Sequence, residues 1–295
     1  MHLFRHLAIF LCTTLAVHAG DAPRKLAFSR GDGIYVANLD GSGARKIGTG
    51  AWPRISPDGT HVAFNTETAK TPERHIAIAD VATGKTTVLP NIPGDNSYGP
   101  VWSPDSSRLI FSTMVKQEWR LAFIDADGAH FHYFEPKAKV GTAALNSMAW
   151  TPDGESFYAQ DLETLYHFAL DGTVKDQRPV EKLVPNASFN SGQQFSVGAD
   201  GHTLLVDADM DENTARKDWD GPPPAVWTLD LSTMKPTRIT PKGFYGWNPA
   251  WVSESEILCN VQPPKSRQRS IYRLSLDGKK RELLVKGAEN PSVSR

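Results

Sequence analysis

PRISPDGTHVAF at residues 53–64 is the stretch from which the fold can be read. A large apolar residue, Ile55, precedes Ser-Pro-Asp-Gly, and a run of alternating apolar residues follows it. The phrase returns as PVWSPDSSRLIFS at 100–112, MAWTPDGESFYA at 148–159, FSVGADGHTLLVD at 195–207 and PAWVSESEILCN at 249–260. NPSVSR at 290–295 begins it once more and stops. A period of this length, made of short strands and Asp-Gly turns, marks a radial repeat architecture.

Aligned on the residue before the turn, the copies carry Ile55, Trp102, Trp150, Val197, Trp251 and Val293. Each is large and apolar, as suits a side chain wedged between neighbouring sheets. The turn itself is Asp58-Gly59, Asp105-Ser106, Asp153-Gly154 or Asp200-Gly201, and it degenerates to Glu254-Ser255 in the fifth copy. Gly tolerates positive φ there, and Asp bonds its own backbone. A second strand follows (HVAFNT, RLIFST, SFYAQ, TLLVDA, EILCNV), then a third such as HIAIAD or IYRLSL, then a weaker fourth. The period-two alternation specifies strands, and no stretch sustains a helical period.

Residues 25–48 supply strands two, three and four of a unit without strand one, whereas NPSVSR supplies strand one alone. The expectation is therefore that 290–295 pair with 25–30 and close a ring, removing two sheet edges. The predicted fold is all-β: a six-bladed β-propeller of four-stranded antiparallel blades, closed by pairing of the N- and C-terminal strands, with residues 20–295 as one domain.

The 295 residues carry a formal net charge of −1, which implies no polyelectrolyte partner and excludes the basic footprint of a nucleic-acid binder. At the N-terminus, Arg5, the apolar LAIFLCTTLAV (7–17) and Val17-His18-Ala19 form a secretory signal, too short for a membrane span. Cleavage after Ala19 is expected, giving a periplasmic or secreted chain. Cys12 leaves with the signal and does not resemble a lipidation cysteine, because Leu11 precedes it. Cys259, within ILCN, is left without an internal disulfide partner and reads as a small buried hydrophobe.

The spaced Trp/Ile-Ser/Thr-Pro-Asp-Gly turns, the Ala-Phe-type strands and the Ile-Tyr…Asp-Gly of Ile34 to Gly41 resemble the propeller of TolB-type proteins. The resemblance covers about residues 25–295. It implies a platform for another envelope protein, such as a peptidoglycan-associated lipoprotein. The additional domain before the TolB propeller is expected to be lacking, since the first strand begins about six residues after the cleavage site. Similar repeats occur in oligogalacturonate lyases, so the resemblance specifies architecture more than activity.

First strands of a propeller line its central channel, and the segments leading into them surround one mouth. Here those segments read GTGAWP, DNSYGP, LNSM, FNSGQQ, GFYGWNP and GAENP. They place Trp52, Tyr98, Phe189, Tyr245 and Trp247 at the mouth, with Asn96, Asn146, Asn190, Gln193, Asn248 and Asn290. Aromatic faces with amide donors suit a peptide segment or a sugar. The same Asn and Gly also serve as turn formers between blades. Ligand-binding candidates are therefore Trp52, Tyr98, Asn146, Phe189, Gln193, Tyr245, Trp247, Asn248 and Asn290.

Three further patterns bear on chemistry. Asp207, Asp209, Asp211 and Asp218 have the spacing of a calcium loop, but Glu212 stands where the sharp turn needs Gly and Asp207 and Asp209 are expected still to lie at a strand end, so a solvated acidic loop is the expectation. Trp219 and Pro222-Pro223-Pro224 stiffen this loop into a lip over the channel. His130 and His132 are two apart and should share one face of a strand, without a third metal ligand at a diagnostic spacing. No Gly-x-Ser-x-Gly elbow, His-Glu-x-x-His, Cys-x-x-Cys or phosphate loop occurs. The reading is a monomeric, non-catalytic propeller that binds an envelope protein or peptide and needs no cofactor or metal. The alternative is a metal-dependent polysaccharide lyase or hydrolase of the oligogalacturonate-lyase type.

Overall fold

The computed structural model describes residues 23–68, 71–94, 96–141, 144–212, 216, 219 and 221–295. The predicted leader, residues 1–19, lies outside them. Six antiparallel sheets follow one another around an axis. Numbered from the chain start, blade 1 contains Lys25–Arg30, Gly33–Asn38 and Arg45–Thr49. Blade 2 runs from Ala51–Ile55 to Thr86–Val88 and blade 3 from Asn96–Trp102 to His132–Tyr133. Blade 4 runs from Asn146–Trp150 to Val174–Pro179, blade 5 from Phe195–Val197 to Lys235–Arg238, and blade 6 from Tyr245–Trp251 to Arg281–Lys286. Among the described residues the only helix is a 3-10 turn, Val180–Lys182.

Blade 1 is completed by Glu289–Val293, which pairs with Lys25–Arg30 through Leu26↔Val293, Ala27↔Ser292 and Ser29↔Glu289. The closing seam extends through Ser294 N–H to Lys25 O at 3.0 Å and Lys25 N–H to Ser294 Oγ at 2.8 Å. The predicted ring closure is thus the observed one.

Alternation along the second strands builds the cores. Val62 and Phe64 pack with Ala27, Ile34 and Val36 of blade 1, while Ala63 between them packs with Trp102, Leu109 and Phe111 of blade 3. Successive side chains point to opposite faces, so each blade contributes to two cores. The result is one hydrophobic cluster at each of the six blade boundaries.

The tryptophans before the turns do more than fill these cores. Trp102 Nε1 donates to Arg54 O at 2.8 Å, Trp150 Nε1 to Val101 O at 3.3 Å, and Trp251 Nε1 to Ser196 O at 3.1 Å. Each indole stitches its first strand to the first strand of the preceding blade. At Ile55, which has no donor side chain, the backbone N–H bonds Ser292 Oγ at 3.0 Å instead.

Five first strands contain the same irregularity. One extra residue is inserted opposite the second strand, after the pairs Ala51↔Asn65, Tyr98↔Ser112, Asn146↔Gln160, Trp247↔Asn260 and Glu289↔Ser29. The next residue in each has positive φ: Trp52, Gly99, Ser147, Asn248 and Asn290. These are β-bulges at one fixed register, and a bulge leaves backbone groups out of the ladder. Blade 5 differs. There Ser188↔Asp209 and Phe195↔Val206 bracket a six-residue loop, 189–194, in place of a single bulged residue.

Deleting residues 290–295 leaves blade 1 with three strands and an unpaired edge. The melting midpoint should fall by on the order of 10 °C, as expected when a chain of this size loses several kcal/mol. Calorimetry on truncated and intact protein measures it, and coincident transitions would contradict an energetic role for the closing strand.

Candidate functional site

The first strands enclose a channel of about 1130 Å³. Its upper mouth, where chains enter the first strands, is lined by Trp52, Arg74, Tyr98, Trp119, Asn146 and the blade 5 loop at Ser191–Gln194. Its lower mouth, beyond the Ser-Pro-Asp turns, is lined by Arg24, Asp200, Glu254 and Arg295.

Trp52 is 40% exposed and sits at φ 59, a conformation rare for a bulky aromatic residue. The bulge turns its ring toward the channel. Across the blade 2–blade 3 boundary, the Arg74 guanidinium lies 4.5 Å from the Tyr98 ring centroid and 5.7 Å from that of Trp119. Tyr98 and Trp119 meet edge to face at 5.1 Å. Arg74 Nε also donates to Asn96 Oδ1 at 2.9 Å. One side of the mouth is thus an aromatic surface fixed by a cation.

The opposite side is polar. Gln193 accepts the Asn190 N–H at 2.8 Å, which holds the blade 5 loop in shape. Gln194 N–H donates to Asp207 Oδ1 at 3.0 Å. Asp207 is 4% exposed. Burial pushes its pKa up to about 7, the Asp209 carboxylate adds to the rise, and nearby backbone N–H groups, those of Gln194 and Asn248 among them, oppose it.

Arg54 lies below the mouth, one residue before Ile55 on blade 2. The equivalent residues on the other five blades are Val101, Ala149, Ser196, Ala250 and Ser292, and all six line the channel. Arg54 Nη1 donates to Gln194 Oε1 at 2.6 Å. Blades 2 and 5 stand three places apart in the ring, so this bond spans the channel. Burial lowers the Arg54 pKa to about 10 while the charge on Asp207 raises it, and the guanidinium stays charged at neutral pH.

The residues expected at the mouth divide into two groups. Trp52, Tyr98, Asn146 and Gln193 line the channel. Asn146, 5% exposed, is engaged by Gln160 Nε2. Asn248 Nδ2 donates to Asn290 Oδ1 at 2.6 Å, and Asn290 Nδ2 to Ser29 Oγ at 2.8 Å, so this pair serves the seam between blades 6 and 1. Tyr245 is fully buried and its hydroxyl accepts the Arg216 N–H at 3.1 Å. Trp247 packs 5.3 Å from Trp219, with Arg269 over both rings. Phe189 packs edge to face on Phe195 at 5.8 Å. The second group is not part of the channel lining.

Two sequence expectations change. The described residues of the proline-rich loop, Arg216 and Trp219, clamp onto blade 6 rather than standing as a lip over the channel: Arg216 donates to Gln262 O, Pro263 O and Ser266 O. His130 and His132 do not share a strand face. His130 has φ 50 in a turn and bonds Asp125 Oδ2 at 2.6 Å, whereas His132 stacks on Phe123 at 5.3 Å. Asp207 and Asp209 belong to the strand Thr203–Met210, at whose end they were expected, and Asp218 lies outside the described residues. Cys259 is fully buried, as read, and burial pushes its thiol pKa up.

Sequence reasoning missed Arg54, Arg74, Trp119 and Asp207 as neighbours. The signal for Arg54 was present: a long charged residue stands in one repeat where the others have Val, Ala or Ser.

The arrangement is a six-bladed β-propeller with one mouth built of aromatic rings, guanidinium groups and amides. No protein-family model matches the sequence, and no curated protein matches it. Solved structures share the fold. TolB from Acinetobacter baumannii superposes with a TM-score of 0.68 at 17% identity, over 93% of this chain and 67% of that one. A nidogen/laminin complex structure gives 0.64 at 11% identity, over 92% and 98%. An oligogalacturonate lyase in complex with manganese gives 0.53 at 13% identity, over 86% and 70%. The chain therefore has a TolB-type propeller fold, one that these three structures place in very different settings.

The raised pKa of Asp207 has a sign. Its folded value, about 7, exceeds the ordinary 3.8, so the folded state holds a proton that the unfolded state releases. The stability tied to that proton is complete below about 3.8 and is lost as pH rises to about 7, at about 1.4 kcal/mol per unit. Asp207→Asn should remove this slope. Urea denaturation of both proteins from pH 4 to 8 tests it, and a difference between them that is constant over that window would disprove it.

Proposed function

We propose that this protein is an exported, non-catalytic binding propeller of the cell envelope, and that a segment of a partner protein docks in the upper mouth of its channel. The observation that carries the reading is the mouth itself. Trp52 is exposed in a strained backbone conformation, beside Tyr98 and Trp119 fixed by Arg74. The positive φ recurs at the bulge of four other first strands, so what distinguishes Trp52 is that an exposed aromatic side chain occupies that position. Aromatic and Arg side chains are the usual anchors of protein interfaces. The sequence resemblance to TolB-type propellers and the leader-like residues 1–19 support an envelope partner.

The alternative, a metal-dependent polysaccharide lyase, needs histidines facing the channel. Among the described residues that line it there are none.

Replacing Trp52 and Tyr98 together with Ala should lower the amount of envelope partner captured by the purified mature protein at least tenfold. That corresponds to about 1.4 kcal/mol or more of lost interface energy. The variant should melt within a few degrees of wild type, because Trp52 packs into none of the blade cores. Quantitative pull-down from envelope extract reads the effect. Unchanged capture of every partner by a folded double variant would refute the mouth as the docking site.

A further inference from the structure

Arg54 is the only charged residue in its ring of six, and it does not point along the wall. It crosses the channel to Gln194 on the facing blade. A guanidinium carries five N–H donors in a rigid fork. Gln194 Oε1 takes one of them, and among the described residues no carboxylate lies within ion-pair distance of the group. The unused donors face the channel, which Arg54 lines. Such a cation, half-buried and without an ion-pair partner, is a strong site for an anion, since charge-assisted bonds to a carboxylate gain strength as water is excluded.

The rest of the channel restricts where that anion comes from. The described carboxylates in the lining, Asp200 and Glu254, both follow first-strand turns at the lower mouth. The upper approach instead passes Trp52, Tyr98, Trp119 and Gln193, which offer stacking surface and amide groups without a lining carboxylate. The Arg54–Gln194 bond is a crossbar. A chain entering from above cannot thread past it, so what reaches the guanidinium is a chain end. An extended peptide entering C-terminus first presents a carboxylate at its tip, and a planar fork matches two carboxylate oxygens at once.

We propose that the Arg54–Gln194 crossbar forms the floor of the docking site and that Arg54 anchors the free C-terminal carboxylate of an extended peptide entering by the upper mouth. This rests on the mouth being the docking site, and it adds the polarity of the bound segment and the group recognised at its end. Gln194 acts as a positioning residue: it holds the guanidinium on the axis, and its own backbone is tied to Asp207.

The test is affinity selection by the immobilised mature protein from a randomised N-acetylated hexapeptide pool. The pool is made once with a free C-terminal carboxylate and once as the carboxamide, and retained peptides are quantified by mass spectrometry. Wild-type protein should enrich free-acid peptides at least tenfold over amides, and Arg54→Gln should abolish that preference. The acid–amide comparison on wild type is independent of whether the variant folds. Equal enrichment of the two pools, enrichment of neither, or an unchanged preference in folded Arg54→Gln overturns the proposal. So does retention of trigalacturonate by a protein that retains no peptide. Equal enrichment that disappears in the Trp52→Ala, Tyr98→Ala protein removes the carboxylate anchor while leaving the mouth as the docking site.

Discussion

A propeller blade cannot insert an extra residue into its innermost strand without satisfying the backbone group that leaves the ladder. A buried polar side chain stands at one register of every second strand, Ser29, Asn65, Ser112, Gln160, Asp207 and Asn260, none more than 7% exposed, and at two blade boundaries it meets that obligation directly. Asn65 Oδ1 accepts the Gly99 N–H at 3.2 Å, and Asn260 Oδ1 accepts the Asn290 N–H at 2.8 Å. In each case the acceptor sits on one blade and the donor on the next. A hydrogen bond of this kind contributes about 1 kcal/mol when made, and an unmade one costs more because the group is buried. The bulges are therefore tolerated only while the blades stay in register with one another, and the apolar clusters at every boundary, which are not directional, cannot supply that register alone.

The same constraint sets the shape of the mouth. A bulge increases the local twist and re-aims the side chains around it. It brings the Trp52 ring out of the wall and leaves Arg54, two residues on, pointing across the axis. Sixfold repetition would produce a symmetric funnel with no preferred ligand orientation. The departures from it are concentrated on two facing blades: Arg54 on blade 2, and on blade 5 the loop 189–194 with Asp207 beneath it. Function on a scaffold of this kind is located where the repeat is broken.

Much of this was legible in the sequence. The recurring Ser-Pro-Asp-Gly phrase, strand alternation and the split between residues 25–48 and 290–295 determine blade number, strand order and the closing seam, because each rests on local patterning and turn chemistry. The mouth was legible only in part. Trp52 and Tyr98 line the channel as read, but Tyr245 and Trp247 occupy corresponding segments and turn into packing with Arg216, Trp219 and Arg269. What separates the pairs is a long-range event, the packing of Arg216 and Trp219 onto blade 6, and no local pattern encodes it. Asp207 was expected at a strand end, where it lies, but was not recognised as buried. Its place in the aligned second strands, beside Asn65 and Asn260, gives it away as a buried acceptor, and that alignment of polar positions is as informative as the alignment of tryptophans.

The electrostatics of the channel argue that its charges are retained for something other than stability. Arg54 and Asp207 are both held where burial penalises their charged forms, yet they do not form an ion pair. Well-packed apolar residues of similar volume often stabilise a protein relative to buried charges. Five of the six blades already place Val, Ala or Ser at the Arg54 position, and five place a neutral Ser, Asn or Gln at the Asp207 position. The fold thus contains, within its own repeats, the neutral solution at both sites. That it departs from this solution on two facing blades, and bridges them through Gln194, shows that a cation on the axis is not required by the architecture.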